Sequence, residues 1–233
     1  MVAPFGHALA AGLIALASGA APRAAADQDQ VANALAASSL RALEAGYWSV
    51  GPGTRDADFV SGCLGGLDSP GRLAPLPGET ARAVSNVYLF QPDADNAPDV
   101  GELLTVAIVA VDAASESSLD WFVLLLGSAD TAECRRTEYL SGPEAGAQAA
   151  DQAPTVDLVA TPDLGAGAAS SRLDMHIVFT SDGIQHRVGY SYLVARTERE
   201  LVAMRVASFG DGPFSGLDAE AELAAIIESL NAA

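Results

Sequence analysis

Residues 115–134 read SESSLDWFVLLLGSADTAEC, and their reading decides how the chain is organised. Ser115 and Ser117 are candidate N-caps, because a hydroxyl there accepts a free backbone N–H. Glu116 and Asp120 put negative charge in the first turn, where the helix dipole favours it. Leu119, Phe122, Val123, Leu126 and Ala129 recur at the spacing of a buried helical face. Trp121, Leu124 and Leu125 widen that stripe. A buried strand would also fit so short an apolar run, but the length and the serine cap favour a helix. Gly127 weakens it by roughly 1 kcal/mol relative to alanine. The expected element is one helix ending at Cys134, with Arg135 and Arg136 suiting its C-terminus.

Working outward, Ala83–Phe90 and Leu103–Val111 read as strands rich in apolar and β-branched residues. Asp27–Ala45 reads as a first helix stopped by Gly46, with Val31, Leu35, Leu40 and Leu43 near helical spacing. Tyr47–Pro77, rich in Gly, Pro and Asp, is expected to be irregular. Thr155–Ala160 reads as a short strand between two loose segments, 142–154 and 161–171. Met175–Thr180, Gln185–Arg196 and Leu201–Ser208 form a three-stranded meander. Asp182-Gly183 is a two-residue hairpin turn that sets Phe179 opposite His186 and Ile177 opposite Val188. A three-residue second turn near Glu198 would place Val202, Met204 and Val206 on the Tyr190/Tyr192 face and send Arg205 out. Leu217–Leu230 reads as a final helix with Leu223, Ile226, Ile227 and Leu230 buried. The fold class is α+β: an antiparallel sheet with helices packed on one face and one disulfide.

Residues 1–26 read as a secretory signal peptide. Ala8–Leu16 supplies the apolar segment, and Ala24 and Ala26 give an A-x-A pattern before Asp27. A buried N-terminal helix or a retained anchor is the alternative. Residues 27–233 then form a single sensor-like domain with no stable membrane span after cleavage. Two cysteines, Cys63 and Cys134, in an exported chain favour a disulfide over two buried thiols. Closing that loop is worth roughly 4 kcal/mol in the chain-entropy model.

The chain carries a net charge of −18 and no lysine. Removing residues 1–26 takes away only Arg23, making the charge −19. Such a field argues against nucleic acid and anionic membrane as partners. Asp93, Asp95, Asp99 and Glu102 invite a calcium reading, but Ala97 and Pro98 stand where an EF-hand needs an oxygen ligand and a glycine. No metal and no cofactor is expected.

His176 and His186 point to opposite faces on the predicted register, which disfavours a two-histidine metal or catalytic centre. His186 is expected at the core edge and His176 in solvent. No G-x-S-x-G elbow, P-loop or dinucleotide fingerprint is present. No catalytic residue is assigned, and the chain is read as a non-enzyme. Trp48, Phe59, Tyr190, Tyr192 and Phe214 are the candidate ligand-binding rings, since amphipathic aromatics line many pocket mouths.

The layout resembles the PknH-like extracellular sensor domains of actinobacterial Ser/Thr kinases and their secreted, stand-alone relatives. The resemblance runs from the cysteine-bearing loop around Phe59–Cys63, through Ala83–Phe90, Leu103–Val111 and the helix ending at Cys134, to the strand and helix of Leu201–Leu230. It implies a compact α+β fold with a cleft that takes a cell-envelope small molecule or protein, and it carries over Cys63 and Cys134 alone. The expected function is a secreted, non-enzymatic ligand-binding or sensor-like domain of the cell envelope. Alternatives are a carrier of an apolar or lipid-like ligand and a carboxylate-dependent hydrolase.

Overall fold

A computed structural model describes residues 25–53, 62–95, 99–141, 154–210 and 217–232. Strands β1 (Trp48–Pro52), β2 (Glu79–Val84), β3 (Asn86–Phe90), β4 (Gly101–Val111), β5 (Thr155–Thr161), β6 (Ala169–Ser181), β7 (Ile184–Arg196) and β8 (Glu200–Phe209) form one antiparallel sheet in the order β1-β3-β4-β8-β7-β6-β5. β2 shares β4 with β3: Ala81–Val84 pair with Ala107–Ala110, and Tyr88–Phe90 pair with Glu102–Leu104. The single strand expected over 83–90 is therefore two. Ser85 makes the break, its hydroxyl donating to Asn86 O and accepting the Val106 N–H.

Among the described residues, four helices cover the sheet: α1 (Gln28–Glu44), α2 (Glu116–Leu126), α3 (Ala129–Ser141) and α4 (Ala219–Ala232). They lie on both faces, not on one. Leu104, Val106, Ile108 and Ala110 of β4 pack with Val31 and Leu35 of α1 and with Leu223, Ile226 and Ile227 of α4. Val109 and Val111, with the opposite parity, pack with Leu119, Phe122, Val123 and Leu126 of α2. Adjacent residues of a strand face opposite sides. The unbroken apolar run of β4 therefore needs a layer on each side, as strands covered twice do. The α+β class, the antiparallel sheet and the single disulfide are as expected.

The expected helix 115–134 is two helices. Gly127 and Ser128 part them, and a Cβ at Gly127 would sit 2.9 Å from Pro162 Cα, so the β5–β6 connection fills that corner. Ser115 makes no side-chain cap; Ser118 Oγ donates to its carbonyl instead. Cys134, Arg135 and Arg136 sit inside α3, not at a helix end. Trp121 and Leu124 stay 51% and 71% exposed, so the buried stripe is Leu119, Phe122, Val123 and Leu126, while Ala129 opens α3 and is exposed.

Asp27 caps α1 in a reciprocal box with Gln30. Gln28 then binds both backbone groups of Arg82 on β2, at 2.8 and 3.1 Å, closing that strand edge with an amide. Arg41 of α1 grips Glu222 of α4 through two bonds of 2.7 and 2.8 Å. The Cys63–Cys134 disulfide joins residues whose Cα atoms are 5.8 Å apart. Among its described residues, the segment expected to be irregular contains β1, two 3-10 turns (Gly62–Leu64 and Pro70–Arg72) and four buried leucines: Leu64, Leu67, Leu73 and Leu76. Among the described residues no helix is long and apolar enough to cross a membrane.

Candidate functional site

The β6–β7 hairpin has the expected register: Phe179 pairs with His186 and Ile177 with Val188 around Asp182-Gly183. Both turn residues have positive φ, as this turn requires. The next turn is shorter than expected. Arg196 pairs with Leu201, and Thr197 N–H reaches Glu200 O, so Glu198 and Arg199 alone make the bend. One residue fewer moves every β8 side chain to the other face. Val202, Met204 and Val206 oppose Ala195, Leu193 and Ser191, while Arg205 opposes Tyr192.

Arg205 thereby joins the face of the two tyrosines. The Tyr190 and Tyr192 rings lie 6.1 Å apart and nearly parallel, and the Arg205 guanidinium stands over Tyr190. Tyr192 is only 2% exposed. Burial pushes its hydroxyl up to about 12, while the charges of Arg135 and Arg205 and a hydrogen bond with Arg135 pull it down. Arg135, buried in α3, also reaches Glu138 at 3.7 Å, and the other oxygen of Glu138 accepts the Cys63 N–H. Tyr192 is therefore a structural residue joining sheet, α3 and disulfide loop. It is not among the walls of the cleft described next.

Beyond Tyr190 a cleft opens on the same face. β8 ends at Phe209, opposite Val188, while the β6–β7 hairpin runs on to Asp182-Gly183. The notch this leaves has a volume of about 450 Å³, with Phe179, His186, Val188 and Phe209 among its walls and Asp99 and Arg187 supplying charge. His186 is exposed and stacks on Phe179 at 5.1 Å, so it is a cleft residue and not a core-edge one. Gly101 shapes the notch: a Cβ there would lie 2.7 Å from the Phe209 ring and 2.8 Å from Phe90 O. Apolar rings beside an imidazole and opposite charges can hold a small molecule with an apolar body and a polar end.

The five rings chosen from sequence are not gathered here. Tyr190 and Tyr192 are neighbours, but Trp48 lies on the edge strand β1, four strands from β7 and thus about 19 Å away at ordinary strand spacing. Phe59 and Phe214 lie outside the described residues. His176 and His186 do fall on opposite faces, as the register predicts. Glu102, one of the calcium candidates, is buried in β4 and bonds the Tyr47 hydroxyl; Ala97 and Pro98 lie outside the described residues. Among the described residues, the one group of three His, Cys, Asp or Glu side chains near enough to share a metal is Cys63, Cys134 and Glu138. Its two sulfurs are already bonded to each other. Of the cleft, the Phe179–His186 pair was within reach of the sequence through the Asp-Gly turn.

No protein-family model and no curated protein matches the chain. Among solved structures it shows a partial likeness to LpqN, described as involved in cell envelope biogenesis of Mycobacterium tuberculosis. That likeness has 12% identity and a TM-score of 0.28, over 67% of this chain and 76% of that one. A likeness at that level defines neither the class of this protein nor its activity.

Proposed function

We propose that the chain is an exported, non-enzymatic ligand-binding or sensor-like domain of the PknH-like type, and that the notch at the end of β8 is where it binds. The observation that carries the reading is the cleft itself: Phe179, Val188 and Phe209 give an apolar wall, and His186, Arg187 and Asp99 give polar ends. The disulfide supports an extracytoplasmic place, because such bonds persist in oxidising compartments. The two histidines, on opposite faces, support the non-enzymatic reading. The ligand class is a small molecule of the envelope with an apolar portion.

Native mass spectrometry of protein purified from its own host tests this. A bound small molecule is expected, lost from a folded His186→Ala/Phe209→Ala double variant. The reading fails if the wild-type protein carries nothing and its cleft resonances stay unmoved when small-molecule extract of the host envelope is added. It fails equally if the double variant keeps the bound molecule.

A further inference from the structure

Glu200 opens β8 on the α1/α4 side of the sheet, opposite Ala110, and is 1% exposed. Its Oε1 accepts the backbone N–H of Ala26 at 2.7 Å, and its Oε2 accepts the Thr197 hydroxyl. Both donors are neutral. Among the described residues no arginine or histidine forms an ion pair with it. The arginines beside it in sequence, Arg196 and Arg199, are taken by Asp120 and Glu116 of α2, on the other face. A buried carboxylate held by neutral donors alone is costly; one paired with a cation is far less so.

We propose that the missing cation is the protein's own new N-terminus: the leader is cut between Ala25 and Ala26, and the α-ammonium of Ala26 forms a buried ion pair with Glu200. This rests on the export reading. Ala26 is 2% exposed and belongs to the core built by Val31, Ala34 and Ile226, which is the environment of a domain residue and not of a discarded leader. Cleavage after Ala26, at the A-x-A pattern, would remove the donor and leave the Glu200 carboxylate with Thr197 alone. The Asp27 nitrogen is placed elsewhere, donating to Gln30 Oε1 at 2.8 Å in the α1 cap. A start further upstream would keep the nitrogen of Ala26 as an uncharged amide.

The Ala24-Ala25-Ala26 run offers small side chains at either bond, with Arg23 at the third position before the proposed cut as the feature working against it. Hydrolysis consumes one water. The Ala25 carbonyl leaves with the leader as a carboxylate, and the Ala26 nitrogen keeps the electron pair of the broken bond and becomes an ammonium. The cut precedes folding, since Ala26 is buried once the domain forms. Leader removal therefore supplies the charge that completes the core, and an uncut chain folds with its buried carboxylate unpaired.

N-terminal sequencing of protein recovered from the host's envelope or medium is expected to begin at Ala26. A start at Asp27, or at a residue upstream of Ala26, overturns the proposal while export stands. An intact Met1 shows that no leader is removed, and overturns the cleaved-leader reading and the proposal with it. A second measurement uses the chain beginning at Ala26 with its amine free or acetylated, in Glu200 and Glu200→Gln backgrounds. Acetylation is expected to lower the unfolding midpoint by about 5 °C beside Glu200 and by less than about 1 °C beside the glutamine. Equal shifts in the two backgrounds overturn the pairing.

Discussion

Arg205 lies over the ring of Tyr190, its guanidinium carbon 5.4 Å from the ring centroid. A long cation on the tyrosine face of a sheet follows from a bend one residue shorter than its sequence suggests, Glu198-Arg199. The charge does two things there. It sits on a ring, and it lies close enough to the buried Tyr192 hydroxyl to oppose the effect of burial.

The first prediction is a pH dependence. Tyr192 has a folded pKa of about 12, above its ordinary value of 10. Because the folded value is raised, the unfolded chain gives up this proton first as pH climbs. The contribution is fully present below pH 10 and is lost between pH 10 and 12. Two pKa units correspond to about 2–3 kcal/mol. Denaturant titrations at pH 9 and pH 11.5 should show the wild type losing more stability than Tyr192→Phe over that interval. Equal losses would mean that the hydroxyl is not buried as described.

A second prediction concerns the notch. Gly101→Ala introduces a Cβ that meets Phe209 and the Phe90 carbonyl. Overpacking of this kind costs about 1–3 kcal/mol. Part of the strain can be relieved by displacing the Phe209 ring, so the cleft changes shape while the sheet stays paired. The check is a loss of stability together with shifted Phe209 and Val188 resonances, and unchanged resonances in α1.

A third prediction concerns the disulfide. Cutting it with Cys134→Ser should cost about 2–5 kcal/mol. The loop does not depend on the bond alone, because Leu64 and Leu67 are buried against α2 and the sheet. Leu67→Ala should therefore cost a comparable 2–5 kcal/mol with the disulfide intact. Residues 62–76 should keep much of their amide protection when the bond is cut and lose more of it in Leu67→Ala. Full exposure of 62–76 in Cys134→Ser would show that the disulfide, and not the leucines, holds them.

Which parts of the fold were legible follows from how local their causes are. α1, α4 and the β6–β7 hairpin are set by nearby residues: the Asp27 cap, the Leu223/Ile226/Ile227/Leu230 stripe and Asp182-Gly183. The second bend, in the run Thr197-Glu198-Arg199-Glu200, has no glycine or asparagine to mark its length, and the error of one residue reversed a whole strand. The second helical layer was written in β4, whose unbroken apolar run demands cover on both faces, but strand-by-strand reading does not count faces. β1 was hidden among glycine and proline. The cleft was legible only in its Phe179–His186 half. Phe209 and Asp99 reach it because β8 stops short of the hairpin, a relation between distant segments that no local pattern records.

The last prediction compares two ion pairs. Arg41 and Glu222 tie α1 to α4, with the Glu222 side chain 3% exposed and that of Arg41 34% exposed. The hydrogen bond and charge of Glu222 hold the Arg41 guanidinium above its usual pKa, against the opposing effect of burial. Arg41→Met keeps most of the apolar stem and strands a buried carboxylate. Removing one partner of a fully buried pair costs about 3–5 kcal/mol, and the half-open side of Arg41 lets water recover part of that, leaving about 2–3 kcal/mol. Adding Glu222→Leu removes the stranded charge, so the double variant should be more stable than Arg41→Met alone. By contrast, Arg136 and Glu133 are both exposed and 3.7 Å apart within α3, and Glu133→Gln should change stability by less than about 0.5 kcal/mol. Denaturant midpoints of the wild type and these three variants decide it. If the double variant is less stable than Arg41→Met, the pair holds α1 and α4 together by its own attraction, and the cost of an unpaired charge is not what the single variant measures.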